Sequence, residues 1–120
     1  IAIPAYQDYT IKAKVQEATS LVAPSLLAVG TAYSEGTLSA ASDNTSLGLA
    51  AAAAITSQYV TSVTVDGTST TAATVTAVMK AIGSGITAGK TIIWSATCSN
   101  AVGCTWAVSG TVADKYYPKT

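Results

Sequence analysis

The two cysteines, Cys98 and Cys104, are the residues of this sequence whose type and spacing most directly allow chemistry. Only Ser-Asn-Ala-Val-Gly separates them, a length that fits the turn of a β-hairpin. Two soft ligands without further partners bind a metal poorly, which weighs against half of a zinc site. The other interpretations are a reduced pair and a disulfide across the hairpin.

The remaining side chains show no pattern that is typical of an enzyme. The chain has no histidine, which excludes Ser/His/Asp and Cys/His catalytic arrangements. Its six acidic residues occur singly, with neither a paired-carboxylate motif nor an Asp-x-Asp-x-Asp calcium loop. We therefore expect a protein that is not an enzyme and that needs no cofactor.

Charge is sparse, and the six positive residues balance the six acids to a net charge of zero. All the positive residues are lysines, so the bidentate phosphate and carboxylate contacts of arginine are absent. No basic block is present that could bind nucleic acid by counterion release. We expect no strong nucleic-acid binding by a single chain.

A long amphipathic helix is predicted for the N-terminal third, over residues 1–35. Its apolar side chains recur at steps of three and four residues, which is the helical period. We expect Pro24 to kink this helix and Gly36 to cap it. The stripe comprises Tyr6, Tyr9, Ile11, Val15, Ala18, Leu21, Val22, Leu26 and Val29.

The apolar residues before Pro4 have no evident partner within the chain. No segment reaches the roughly 18 apolar residues that span a bilayer. We expect this helix to be the lower part of a longer one, whose apolar upper part precedes Ile1.

The rest of the chain favours antiparallel strands within the same single domain. Residues 36–56 form a connection with about one helical turn, residues 57–110 a sheet, and residues 111–120 a tail. Alternating β-branched residues predict strands at 59–65, 73–79, 90–98 and 104–110. Asp66-Gly67 is predicted to form the first turn, and 82–89 a flexible link. The expected fold is α+β, with a long N-terminal α-helix packed on a four-stranded antiparallel β-sheet.

Two segments resemble type IV pilins. The stretch Ala2-Ile-Pro-Ala-Tyr-Gln-Asp-Tyr9 closely resembles the exit of their N-terminal helix. Cys104-Thr-Trp106, Ser109-Gly-Thr-Val112 and Asp114-Lys-Tyr-Tyr-Pro118 resemble the family's C-terminal elements. The chain lacks the family's Phe-Thr-Leu-Ile-Glu-Leu start and the cysteine that usually follows the last proline.

The resemblance implies a structural role, as a type IVa-like major pilin in a helical filament of identical copies. Adhesion, twitching motility and DNA uptake would be activities of that filament. The implied partners are the inner membrane before assembly and the pilus assembly machinery, and the implied location is the extracellular pilus of a Gram-negative bacterium. The implied filament-assembly residues are Ile1, Ala2, Ile3, Pro4, Tyr6, Tyr9, Ile11 and Val15.

An exported protein of this kind favours the disulfide between Cys98 and Cys104. In a hairpin with that pair directly opposed, Ala96 faces Trp106 and Trp94 faces Val108. Alternation then places both tryptophans on the cysteines' face, which we expect to cover the helix. Tyr116 and Tyr117 are expected to hold the tail by packing.

Two alternatives remain at this point. A type II secretion pseudopilin shares the helix, but its major form usually carries a calcium loop, which this sequence lacks. A monomeric adhesin or binding module with an amphipathic helix is the alternative from a different class. Filament formation distinguishes a pilin from such a module.

Overall fold

The computed structural model describes residues 3–82 and 85–118, and only the backbone of residues 3–8 and 114. Two single-turn 3-10 helices lie at Ala52–Ala54 and Asp114–Tyr116. The four strands form one antiparallel sheet in sequence order, and the long helix packs on one face of it. This arrangement confirms the expected α+β fold. Its main elements are α1 (Ile3–Glu35), β1 (Val60–Ser69), β2 (Ala72–Met79), β3 (Thr91–Ser99) and β4 (Gly103–Gly110).

The helix α1 buries one regular stripe against the sheet and continues without interruption past Pro24. The pyrrolidine ring of Pro24 lies on the exposed side of α1. The stripe forms the core together with the inward valines of β1 and β2 and with Ile92 and Trp94 of β3. The fully buried stripe positions alternate steps of four and three: Ile11, Val15, Ala18, Val22, Ser25, Val29 and Ala32.

The C-terminus of α1 is closed by Gly36, as expected. Its φ of 74° is the left-handed conformation that favours glycine. The Gly36 N–H donates to Tyr33 O at 3.1 Å and the Thr37 N–H donates to Ala32 O at 2.9 Å. This pair of bonds is the Schellman motif, and it turns the chain back over the sheet.

The hairpin of β3 and β4 has the expected register. Cys98 lies opposite Cys104, Ala96 opposite Trp106, and Trp94 opposite Val108. Trp94 is buried at 2% exposure and Trp106 is half-buried, both on the helix-facing side. Thr97 and Thr105, on the opposite face, are exposed.

The predicted turn at Asp66-Gly67 is wrong. Both residues lie inside β1, opposite Thr74 and Ala73, and the chain reverses at residues 70–71 instead. The Gly67 N–H donates to Ser42 O at 2.8 Å, and a Cβ at this position would overlap the carbonyl of Ser39. Glycine occurs here because the connection 36–59 passes very close to the strand, so the residue does not mark a turn.

The predicted flexible link at 82–89 is also wrong in its described part. Ile82 and Ile86 are buried and exchange two backbone hydrogen bonds, of 2.9 and 3.2 Å. A Cβ on Gly85 would meet the side chains of Ile11 and Tyr116. The described part of the segment is therefore anchored in the core, and residues 83 and 84 lie outside the description.

The C-terminal segment is ordered by aromatic packing, as expected. Tyr116 is buried, and the Tyr117 hydroxyl donates to Gly110 O, at the end of β4, at 2.9 Å. Pro118 is buried as well. Residues 119 and 120, at the end of the tail, lie outside the described part.

Candidate assembly surface

The face of α1 that points away from the sheet is open along its described length. Because one side of the helix is fully used by the core, this opposite side is available for contact with another molecule. Two of its large side chains are strongly exposed, Tyr9 at 81% and Leu27 at 72%. We call this surface the outer helix face; it comprises Tyr9, Lys12, Ala13, Gln16, Ser20, Ala23, Pro24, Leu27 and Thr31.

A shallow groove of about 320 Å³ adjoins the C-terminal end of the outer helix face. Pro24, Leu27 and Thr31 form its helix wall, and Ser46 and Leu47 of the connection form part of the other wall. The groove is open to solvent and mixes apolar with hydroxyl side chains.

The connection 36–59 is held on the edge of β1 by the side chain of Asn44. Its Nδ2 donates to Ala50 O and Val63 O, both at 3.0 Å. Its Oδ1 accepts from the Val65 N–H at 2.7 Å. The buried amide therefore replaces a neighbouring strand for β1, which leaves this edge of the sheet covered.

The disulfide between Cys98 and Cys104 is present, as expected. It joins β3 and β4 beside their turn, and Cys98 is buried against the core. On the chain-entropy model, closing so short a loop stabilises the fold by about 2–3 kcal/mol. The Tyr33 hydroxyl also donates to Asn100 Oδ1 at 3.0 Å, which ties this turn to the end of α1.

The structure separates the predicted assembly residues into three groups. Ile11 and Val15 are buried in the core, so their side chains stabilise the chain itself and offer no surface. Tyr9 is exposed on the outer helix face. Ile3, Pro4 and Tyr6 belong to α1, but only their backbone is described, and Ile1 and Ala2 lie outside the described residues.

Sequence reasoning missed the exposure of Leu27 and the role of Asn44. The steps of the buried stripe run from Val22 through Ser25 to Val29, which leaves Leu27 off the stripe. The sequence predicts these steps if Ser25 is accepted as a member of the otherwise apolar stripe. Asn44 gives no local signal, because its partners lie 6 to 21 residues away.

In the described part of the chain, no helix is both long and apolar enough to cross a membrane. Nor do three or more cysteine or acidic side chains there come together in a way that could hold a metal ion.

Comparison with known proteins agrees with this architecture. Residues 11–120 match the family model of pilin, a bacterial filament protein. The chain is also 34% identical over 122 residues to fimbrial protein EcpC of Eikenella corrodens, covering 100% of this chain and 76% of that protein. The family match spans the sheet and most of α1, including the buried stripe and both cysteines. The chain therefore belongs to the pilin family, whose members are structural subunits of fimbriae.

Proposed function

We propose that this pilin is the major subunit of a type IV pilus and that its outer helix face contacts neighbouring copies in the filament. One observation carries the proposal: α1 is buried on one side only, while Leu27 on the other side is 72% exposed. An exposed leucine costs free energy in water, which contact with another subunit would remove. Leu27 lies next to the groove, into which a side chain of the neighbouring subunit can insert.

The activities and partners that the resemblance implies belong to this proposal as well. The subunit would be held in the inner membrane before assembly, and the pilus assembly machinery would transfer it to an extracellular filament. Adhesion, twitching and DNA uptake would then depend on the assembled filament. A single subunit has no basic block for nucleic acid, so DNA uptake would require many subunits or a separate binding protein.

The test is a substitution on the outer helix face of the full-length protein, in cells that assemble it. Leu27→Asp should abolish or strongly reduce the filaments that are sheared from cells and counted by electron microscopy. The matched control is Val102→Asp, because Val102 is equally exposed, at 71%, but lies in the turn between β3 and β4. Circular dichroism should show both variants folded.

The two variants also separate the alternatives. Normal filaments from Leu27→Asp would disprove the contact, and equal loss from both variants would show that it is not specific to the helix. If the unaltered full-length chain forms no filaments, the monomeric binding module becomes the better interpretation.

A further inference from the structure

Three lysines from distant parts of the sequence meet at one end of the molecule, where β1 begins and β2 ends. The Lys14 ammonium lies 5.3 Å from the centre of the Tyr59 ring. The Lys80 N–H donates to Tyr59 O at 2.8 Å. The Met79 N–H donates to Lys90 O at 2.7 Å, and Met79 directly precedes Lys80. Lys14, Lys80 and Lys90 are thus neighbours in space.

Two further lysines belong to the same end. Ile11, Tyr116 and Gly85 meet in the core, which brings the tail beside the lower part of α1. Lys12 follows Ile11 and is exposed, and Lys115 lies 5.1 Å from the centre of the Tyr116 ring. We call this surface the lysine end; it comprises Lys12, Lys14, Lys80, Lys90 and Lys115. The acids nearest to it in sequence are Asp8, Glu17 and Asp114.

The opposite end carries acids, and no described lysine belongs to it. Glu35 is the last residue of α1, and Asp43 forms a bridge with Asp66 of β1. All three residues are exposed. We call this surface the acidic end; it comprises Glu35, Asp43 and Asp66.

The two ends cannot neutralise each other within one molecule. Asp66 lies opposite Thr74, and the six residue steps from Thr74 to Lys80, just past the end of β2, extend about 20 Å. At that distance, exposed charges are largely screened at physiological salt.

The stability of the chain explains the distribution of charge only at Asp43, whose Oδ1 accepts from the Ser46 N–H at 2.8 Å. Glu35 lies at the negative end of the α1 dipole, where a carboxylate is unfavourable. Asp43 and Asp66 face each other across a strand-type bridge, where like charges are destabilising. Five lysines with three acids near them in sequence at one end, and three acids without a described lysine at the other, give the two ends opposite net charge, which fits contact between two molecules.

We propose that the acidic end of one subunit contacts the lysine end of the next copy along the filament. The inference rests on the proposed function and adds to it a second, charged contact that sets polarity. Parallel copies of an elongated subunit bring unlike ends together, and such a heterologous contact extends into an open filament. Complementary charge then favours the head-to-tail order and opposes head-to-head pairing, in which like charges would meet.

Zero-length cross-linking of intact filaments tests this contact directly. A carbodiimide joins a lysine amine to a carboxylate only when the two groups touch, and the product is identified by mass spectrometry. We expect links from Lys80 or Lys90 to Glu35 or Asp66. Because Asp66 and Lys80 are about 20 Å apart along the sheet within one subunit, a link between these two must join two subunits. The 120-residue chain, as a monomer in solution, is the control and should give no link between these residues.

Reversing the charge of residues at the two ends is the second test of this contact. Lys80→Glu with Lys90→Glu should lower the filament yield of the full-length protein by about tenfold or more. Adding Glu35→Lys and Asp66→Lys to the same chain should restore most of that yield. Glu35→Lys alone should lower the yield while slightly raising the temperature of unfolding, because a lysine suits the helix C-terminus. A purely structural role for Glu35 would move both readouts in the same direction.

The outcomes distinguish this contact from the proposed function and from a membrane contact. Filaments from Lys80→Glu with Lys90→Glu at unaltered yield, or filaments without cross-links between the two ends, overturn the charged contact but leave the filament. Absence of filaments from the unaltered chain defeats the proposed function itself, and the charged contact with it. Binding of the chain to phosphatidylglycerol vesicles that is lost on charge reversal, with filament yield unchanged, would assign the lysine end to an anionic membrane and overturn the proposal.

Discussion

Some single side chains stabilise this fold through contacts that their sequence neighbours do not indicate, and Asn44 is the clearest case. The edge of β1 needs partners for its backbone groups, and one buried amide supplies two of them, at Val63 O and the Val65 N–H, and bonds Ala50 O of the connection as well. An aspartate would lose both donors, and a serine would be too short to span the same groups. The connection 36–59 therefore depends on this residue for its position on the sheet.

Asn44→Ala should destabilise the protein by about 2–4 kcal/mol, because it leaves buried backbone groups of β1 without partners. Urea unfolding followed by tryptophan fluorescence measures the change. Asn100→Ala is the matched control, since Asn100 is exposed and makes one bond, to Tyr33. Equal losses from the two variants would contradict the role given to Asn44.

The two tryptophans should differ in their contribution, because their burial differs. Trp94→Ala should cost about 3–5 kcal/mol, since it removes a fully buried indole from the core beneath α1. Trp106→Ala should cost clearly less, because Trp106 lies on the edge strand and is only half-buried. Both values come from the same unfolding experiment, and a larger loss at Trp106 would show that the helix packs differently on the sheet.

At the scale of elements, the sequence predicted what depends on periodicity and missed what depends on tertiary approach. The buried stripe of α1 follows from the helical period and is correct from Ile11 onward, whereas Tyr9, which was also predicted to lie on the stripe, is 81% exposed. The register of β3 with β4 follows from the directly opposed cysteines and is correct. Gly67 was misread because Asp-Gly is a strong turn signal, whereas here the connection crosses the strand. The loop after β2 was predicted to be flexible because of its glycines, although two isoleucines, four residues apart, anchor it in the core.

Replacement of two glycines by alanine should change the stability of the protein in opposite directions. Gly67→Ala should destabilise by about 1–3 kcal/mol, because the new methyl group would overlap the Ser39 carbonyl and push the connection off β1. Gly30→Ala should stabilise by up to about 1 kcal/mol, because Gly30 lies within α1 and no atom lies within 4 Å of a Cβ built there. Thermal unfolding of the two variants decides the matter, and a gain at Gly67 would show that the connection moves freely.

At the scale of the whole molecule, the chain is a rod of about 53 × 30 × 18 Å. In the described residues, the strongly exposed large apolar side chains are Tyr9, Leu27 and Val102. They do not form one patch, since Tyr9 and Leu27 are about 27 Å apart along α1 and Val102 lies in a turn. Such a surface suits a subunit that is stable alone and associates through several modest contacts.

We therefore expect the 120-residue chain to be a monomer in solution at micromolar concentration. An exposed ion pair contributes at most about 1 kcal/mol, and one buried leucine about 2 kcal/mol, which together do not offset the loss of translational and rotational freedom. Sedimentation equilibrium at low and at physiological salt should give the monomer mass. Stable filaments from the 120 residues alone, seen by electron microscopy, would mean that the outer helix face and the charged ends suffice for assembly.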